Sequence, residues 1–176
     1  VFAIGDAVQV VSGATGKRVN VALAADARRE AYLAVRNLVS PRQALPPVQG
    51  TSALKVFDLT FATTGLGVTA AERAGVPVKA VVVTQPVALH DATPVTLKLM
   101  YQPATLEIVG AQLIAATDMT ANINSLALAI QTHMTIHELA TADFFFQPLF
   151  TTPVHFLNAV GMAAVRQAET ALGEPV

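Results

Sequence analysis

The chain contains no cysteine and no tryptophan among its 176 residues. The first absence excludes a disulfide framework, a thiolate metal site and a cysteine nucleophile within these residues. It fits an intracellular, cytoplasmic protein. Charge is also scarce. Asp, Glu, Lys and Arg make up 13% of the chain and the net charge is −1, against about 25% charged residues in an ordinary globular domain. No basic run or stripe exists, so nucleic acid is not an expected partner. Long apolar runs are missing too. The apolar stretches are broken by Thr, Gln, Asp or Pro well short of the roughly 18 residues of a membrane span, so no membrane partner is expected.

What is present is oily. Hydrophobic residues form 53% of the chain, which points to surfaces that meet another domain or subunit. The chain opens on Val1-Phe2-Ala3-Ile4, a buried-strand pattern with no initiator Met and no basic leader. It therefore reads as cut from something longer.

Residues 1–5 read as a short buried strand ending at Gly5-Asp6. Residues 10–20, with Gly13 and Gly16, read as a loop or hairpin. Residues 22–39 have helical periodicity: Leu23, Ala27, Ala31, Ala34, Val35 and Leu38 share one face, and Asp26, Arg28, Arg29 and Arg36 the other. Ser40-Pro41 stops this helix, and residues 41–50 form a proline-rich linker. Strands are expected at 53–58, 60–64, 76–84, 95–101 and 106–114, the last with a bulge at Gly110. A brief helix spans 69–74. Three helices close the chain: one on the stripe Met119, Ile123, Leu126, Ala127 and Ile130, one behind the capping box Thr135-x-x-Glu138, and one starting at Thr152-Pro153. Strands followed by massed helices predict an α+β fold, an antiparallel sheet with helices on one face.

Four features can carry chemistry. A strand ending in Gly5-Asp6 places a carboxylate where cofactors bind in α/β sheets. The entry at Ala22-Leu23-Ala24 offers backbone N–H groups at a helix N-terminus, a cradle for negative charge. His133 and His137 have metal-ligand spacing, but Thr135 caps a helix between them and breaks the shared face; no metal site is expected. Phe144-Phe145-Phe146 cannot all enter one core, so these rings meet either two surfaces or a tight corner.

In order along the chain stand VFAIGD (1–6), VNVALAADAR (19–28), VQGTSALKVFD (48–58), FATTG (61–65), VGAQLI (109–114), TANIN (120–124), LAIQTHMTIHELATADFFFQP (128–148) and FLNAV (156–160). Together they closely resemble the C-terminal portion of NADH peroxidases and water-forming NADH oxidases, of the pyridine nucleotide–disulfide oxidoreductase superfamily.

The resemblance implies that residues 1–45 are the returning end of an FAD-binding domain and residues 46–176 a dimerisation domain. It implies FAD and NADH as cofactors of the parent protein and a homodimer as its assembly. Asp6 would hold the ribityl chain, Ala24 would touch the flavin, and Ala22 would lie where the nicotinamide docks. Ala53 would fall beside the nicotinamide nucleotide, where the family usually carries Gly. The interface would include Phe144, Phe145, Phe146 and Phe150. The implied reaction passes electrons from NADH through flavin to a cysteine sulfenic acid upstream of Val1, so no catalytic residue lies here and the chain alone is expected to be inactive. VFD, TANIN and DFFFQP favour hydrogen peroxide as substrate; oxygen is the alternative. Leu149 and Val154 stand where relatives carry His and Trp. A non-catalytic dimerisation module is the reading from another class.

Overall fold

A computed structural model describes residues 1–40 and 42–172. The stop assigned to Pro41 lies outside the described residues. A one-turn 3₁₀ helix at Gly5–Ala7 is followed by a small hairpin of β1 (Val10–Val11) and β2 (Arg18–Val19), then by α1 (Ala24–Val39). The larger unit comprises β3 (Ser52–Val56), β4 (Leu59–Gly65), α2 (Val68–Ala74), β5 (Lys79–Ala88), β6 (Asp91–Tyr101), β7 (Ile108–Ala115), α3 (Ile123–Gln131), α4 (Ile136–Ala140) and α5 (Phe156–Leu172). Among the described residues, no helix is long and apolar enough to cross a membrane.

The five strands β3 to β7 form one antiparallel sheet in the order β3-β4-β7-β6-β5. Alternation decides its two faces. Val95, Leu97, Leu99 and Tyr101 of β6 and Ala111, Leu113 and Ala115 of β7 point to one side and are buried. Ile123, Leu126 and Ile130 of α3, Leu139 of α4, and Leu157, Val160 and Ala164 of α5 cover that side and complete the core. Tyr101 donates its hydroxyl to Gln167 Oε1 at 2.9 Å, and Gln167 Nε2 donates to the Ala80 carbonyl at 3.2 Å, fastening α5 to the sheet. The α+β architecture is the expected one.

The bulge is where Gly110 predicts it. Met100 pairs Gly110 but Tyr101 pairs Ile108, so Val109 is the extra residue. The chain crosses β7 there. Leu66 N–H donates to the Val109 carbonyl at 2.8 Å, and a Cβ on Gly110 would collide with the Leu66 carbonyl. Gly75 ends α2 in the left-handed conformation, φ 70°. The Thr135–Glu138 capping box is formed, with Thr135 N–H donating to Glu138 Oε2 at 2.7 Å and Glu138 N–H to Thr135 Oγ1 at 3.3 Å.

Three expectations are corrected. Residues 1–4 are extended but pair with no strand among the described residues, and their side chains are exposed; a buried strand needs neighbours that these residues do not have. The sided reading of α1 is reversed in part. Asp26 and Glu30 are buried, whereas Val35 and Leu38 are 64% and 70% exposed. The helix packs chiefly on the turn at Gly5–Ala7, away from the large sheet, so Ala27, Ala31 and Ala34 are half-buried while Val35 and Leu38 have nothing to cover among the described residues. Finally, α5 starts at Phe156 and not behind Pro153. His155 takes the cap position instead: its carbonyl accepts from Ala159 N–H at 2.9 Å and its Nδ1 from Leu157 N–H at 3.2 Å.

Candidate functional site

Two regions carry the residues singled out from the sequence. The first is built around Gly5-Asp6 and the start of α1. Gly5 adopts φ +71°, a conformation that costs glycine little, and its amide donates to the buried Glu30 carboxylate at 2.6 Å. Asn20 Nδ2 donates to the carbonyls of Asp6 (3.0 Å) and Val8 (3.3 Å), clamping the turn from the other side. Both clamps engage backbone. The Asp6 carboxylate is exposed and makes no hydrogen bond to a described residue, so its acceptors are open. Sequence reasoning missed Glu30 and Asn20. The carboxylate at 30 falls between the two faces assigned to the helix, and nothing local links it to residue 5.

Ala22 and Ala24 are exposed at the mouth of α1. Leu23 is its N-cap and supplies no side-chain acceptor, which leaves first-turn amides unsatisfied and the positive end of the helix dipole uncovered. Beside this end lies a cleft of about 610 Å³, lined by Asp26, Arg28, Arg29, Gln49, Thr51 and Gln131 among others. Arg29 is paired to Asp26, and Gln49 Oε1 is buried with no hydrogen-bond partner. Ala53 is not part of this cleft. It sits on β3, exposed, opposite Ala62. Gln49 and Thr51, shortly before it in the chain, do line the cleft.

The second region is the loop before α5. Phe144 turns inward and packs on the core, stacking on His155 with ring centroids 4.9 Å apart; His155 stacks in turn on Phe156 at 4.7 Å, and Phe145 meets it edge-on at 6.4 Å. Phe145, Phe146, Leu149 and Phe150 stand exposed. The three rings therefore serve more than one surface. The loop is held firmly. Gln147 N–H donates to Thr151 Oγ1 (3.2 Å), Leu149 N–H to Gln147 Oε1 (2.7 Å) and Phe150 N–H to the Gln147 carbonyl (2.9 Å). Asn158 Nδ2 reaches the carbonyls of Leu139 and Ala142, and Gln85 Nε2 donates to Thr152 Oγ1 at 2.6 Å. An apolar patch fixed by that many hydrogen bonds is suited to contact. Burial among the rings pushes the His155 pKa below the usual histidine range. His133 lies before α4 at φ 57°, and His137 within α4, so the two do not share a helix.

Residues 51–155 match the family model described as the pyridine nucleotide-disulphide oxidoreductase dimerisation domain. The chain is 36% identical over 168 residues to an NADH oxidase of Enterococcus faecalis, covering 94% of this chain and 38% of that protein. It is 33% identical over 168 residues to an NADH oxidase of Streptococcus pyogenes, covering 93% and 37%. Among solved structures, the water-forming NADH oxidase from Lactobacillus brevis bound to NADH superposes with a TM-score of 0.93 at 32% identity, over 97% of this chain and 39% of that one. A NAD-dependent persulfide reductase from A. fulgidus superposes with a TM-score of 0.91 at 27% identity, over 96% and 32%. The chain thus spans well under half the length of the relatives it matches.

Proposed function

Because the chain belongs to the pyridine nucleotide-disulphide oxidoreductase family and carries its dimerisation domain, we propose that it is the C-terminal part of a flavin-dependent enzyme that oxidises NADH in the cytoplasm and reduces dioxygen to water. The observation that carries this reading is the match to proteins named NADH oxidases across more than nine tenths of the chain. Hydrogen peroxide as acceptor is the second reading, favoured by the VFD, TANIN and DFFFQP segments.

In this reading residues 1–45 return to an FAD-binding domain and residues 46–176 form the dimerisation domain. The N-terminal residues fit a flavin. Asp6 offers an open carboxylate to a ribityl hydroxyl, and the start of α1 presents uncapped amides and small side chains, Ala24 in its first turn and Ala22 just before it, to an electron-rich ring. Bound FAD supplies the hydride-accepting chemistry; these residues orient it and favour negative charge on it. The exposed stripe of α1 and the extended residues 1–4 are the faces that meet the remainder of that domain. Ala53 is placed toward the nicotinamide nucleotide only by resemblance, and Gln49 and Thr51 line the cleft nearer α1. The protein acts as a homodimer in which Phe145, Phe146 and Phe150 reach the partner, with Phe144 bracing them from the core side.

The 176 residues alone carry neither the reactive cysteine nor a dinucleotide motif, so with added FAD and NADH they give no turnover. The full-length protein decides the acceptor. An oxidase consumes oxygen with two NADH oxidised per dioxygen and no peroxide released. Peroxide-dependent NADH loss under nitrogen, with slow aerobic turnover, selects the second reading. Asp6→Ala in that protein releases flavin on dilution, since a hydrogen bond to a charged group contributes about 1.5–3 kcal/mol; unchanged retention removes Asp6 from the site.

A further inference from the structure

The sheet face opposite the helices holds a trough of about 440 Å³ that touches all five strands. Leu54, Phe61, Val82 and Ile114 give it apolar walls, and Lys98 is its one charged lining residue. Lys98 makes no ion pair with a described residue. At the tip of the β3–β4 hairpin, Phe57 is 92% exposed and holds φ +52°. A two-residue hairpin turn calls for Asn, Asp or Gly at such a φ. A phenyl ring there is unfavourable in backbone and in hydration, the kind of local cost that marks a contact made elsewhere. Asp58 beside it is exposed and likewise makes no ion pair with a described residue.

We propose that the trough seats the β3–β4 turn of a second copy of this chain. The partner's Phe57 packs on the row formed by Leu54, Phe61 and Ile114, which are register partners across β3, β4 and β7, and the partner's Asp58 meets Lys98. The charges are complementary, and the exchange is isologous, so one dimer fills two troughs and makes two ion pairs. The turn stands three residues, roughly 10 Å, beyond its own trough, leaving room for the partner's turn to run alongside. Area calls for such a second contact. A stable dimer buries about 800 Å² on each side, more than the four exposed side chains of the aromatic loop supply. The inference rests on the homodimeric reading above.

Charge reversal tests it in the full-length protein by sedimentation velocity over a concentration series, with circular dichroism to confirm folding. Lys98→Glu or Asp58→Lys alone sets like charges together and weakens dimerisation by about tenfold or more. The double variant Asp58→Lys/Lys98→Glu returns to within about threefold of the unmodified protein. Single reversals that leave dimerisation unchanged, or a double variant that fails to recover, overturn the proposal. Single reversals that strip flavin without loosening the dimer do so too, and make the longer protein's own nucleotide-binding region the occupant. An unmodified protein that is monomeric at every concentration overturns the dimeric reading with it, whereas a yellow, NADH-oxidising monomer leaves the enzymatic reading standing.

Discussion

Gly5 and Glu30 are joined by a 2.6 Å hydrogen bond from the glycine amide to a carboxylate that is only 7% exposed, across 25 residues of chain. That bond ties the turn carrying Asp6 to the helix whose N-terminus faces the same end of the molecule. Glu30→Ala is expected to remove it at a cost of about 1.5–3 kcal/mol. Urea unfolding of the purified protein measures the loss. In the full-length protein the same change is expected to speed flavin release although residue 30 is buried.

Phe144 and Phe146 differ in what they touch, so they respond differently to truncation. Phe144→Ala opens space beside His155 in the core and is expected to cost about 3 kcal/mol of stability. Phe146→Ala removes an exposed ring and should leave stability within about 0.5 kcal/mol, while raising the dimer dissociation constant. Thermal melts and sedimentation separate the two effects. Equal losses of stability would mean that both rings belong to the core.

His155 makes stability depend on pH. Burial lowers its folded-state pKa, so the unfolded chain takes up the proton first, near the ordinary value of about 6.5. The contribution is complete above that value and is lost as pH falls through it toward the folded-state pKa. Asp91, Asp118 and Glu138 have lowered carboxylate pKa values through their hydrogen bonds to Thr93, Thr120 and Thr135. Their contributions are present at neutral pH and are lost only as pH falls below the ordinary carboxylate values of about 4. His155→Asn keeps an acceptor for Leu157 N–H without titrating. Its urea midpoint is expected to be flatter than that of the unmodified protein between about pH 7 and 5.

Gly110 allows Leu66 to cross β7 at backbone distance. Gly110→Ala forces the crossing chain away from the bulge and is expected to cost about 1–3 kcal/mol. A calorimetric melting point equal to that of the unmodified protein would show that the crossing can move freely.

Alternation in Val95-Leu97-Leu99-Tyr101, the glycine at 110 and the Thr135–Glu138 box were readable because each states its own geometry. Period two, a missing Cβ and a three-residue spacing need no distant partner. The start of α5 was not readable, since Pro153 is an equally good helix opener and only the stacking of His155 between Phe144 and Phe156 moves the cap. The buried face of α1 is hidden from the sequence for a related reason. Its hydrophobic stripe is real in the sequence, but which stripe is buried depends on what lies opposite, and here that is the turn at Gly5. At the candidate site, Asp6 and the helix entry were visible as motifs. Glu30, Asn20 and Gln49 were not, because their roles come from bonds to backbone far along the chain or from a cleft formed only on folding.

The strand order β3-β4-β7-β6-β5 also sets a timetable. A ribosome releases β3 and β4 first, then β5 and β6, yet β4 has no neighbour on its inner side until β7 emerges, some fifty residues after the hairpin is made. Through that interval the early hairpin carries an unsatisfied edge and an oily face, the condition that invites association with a neighbouring nascent chain. Synthesis that pauses before Ile108 prolongs the danger, and synthesis that passes Ala115 ends it by closing two halves of a sheet with one strand.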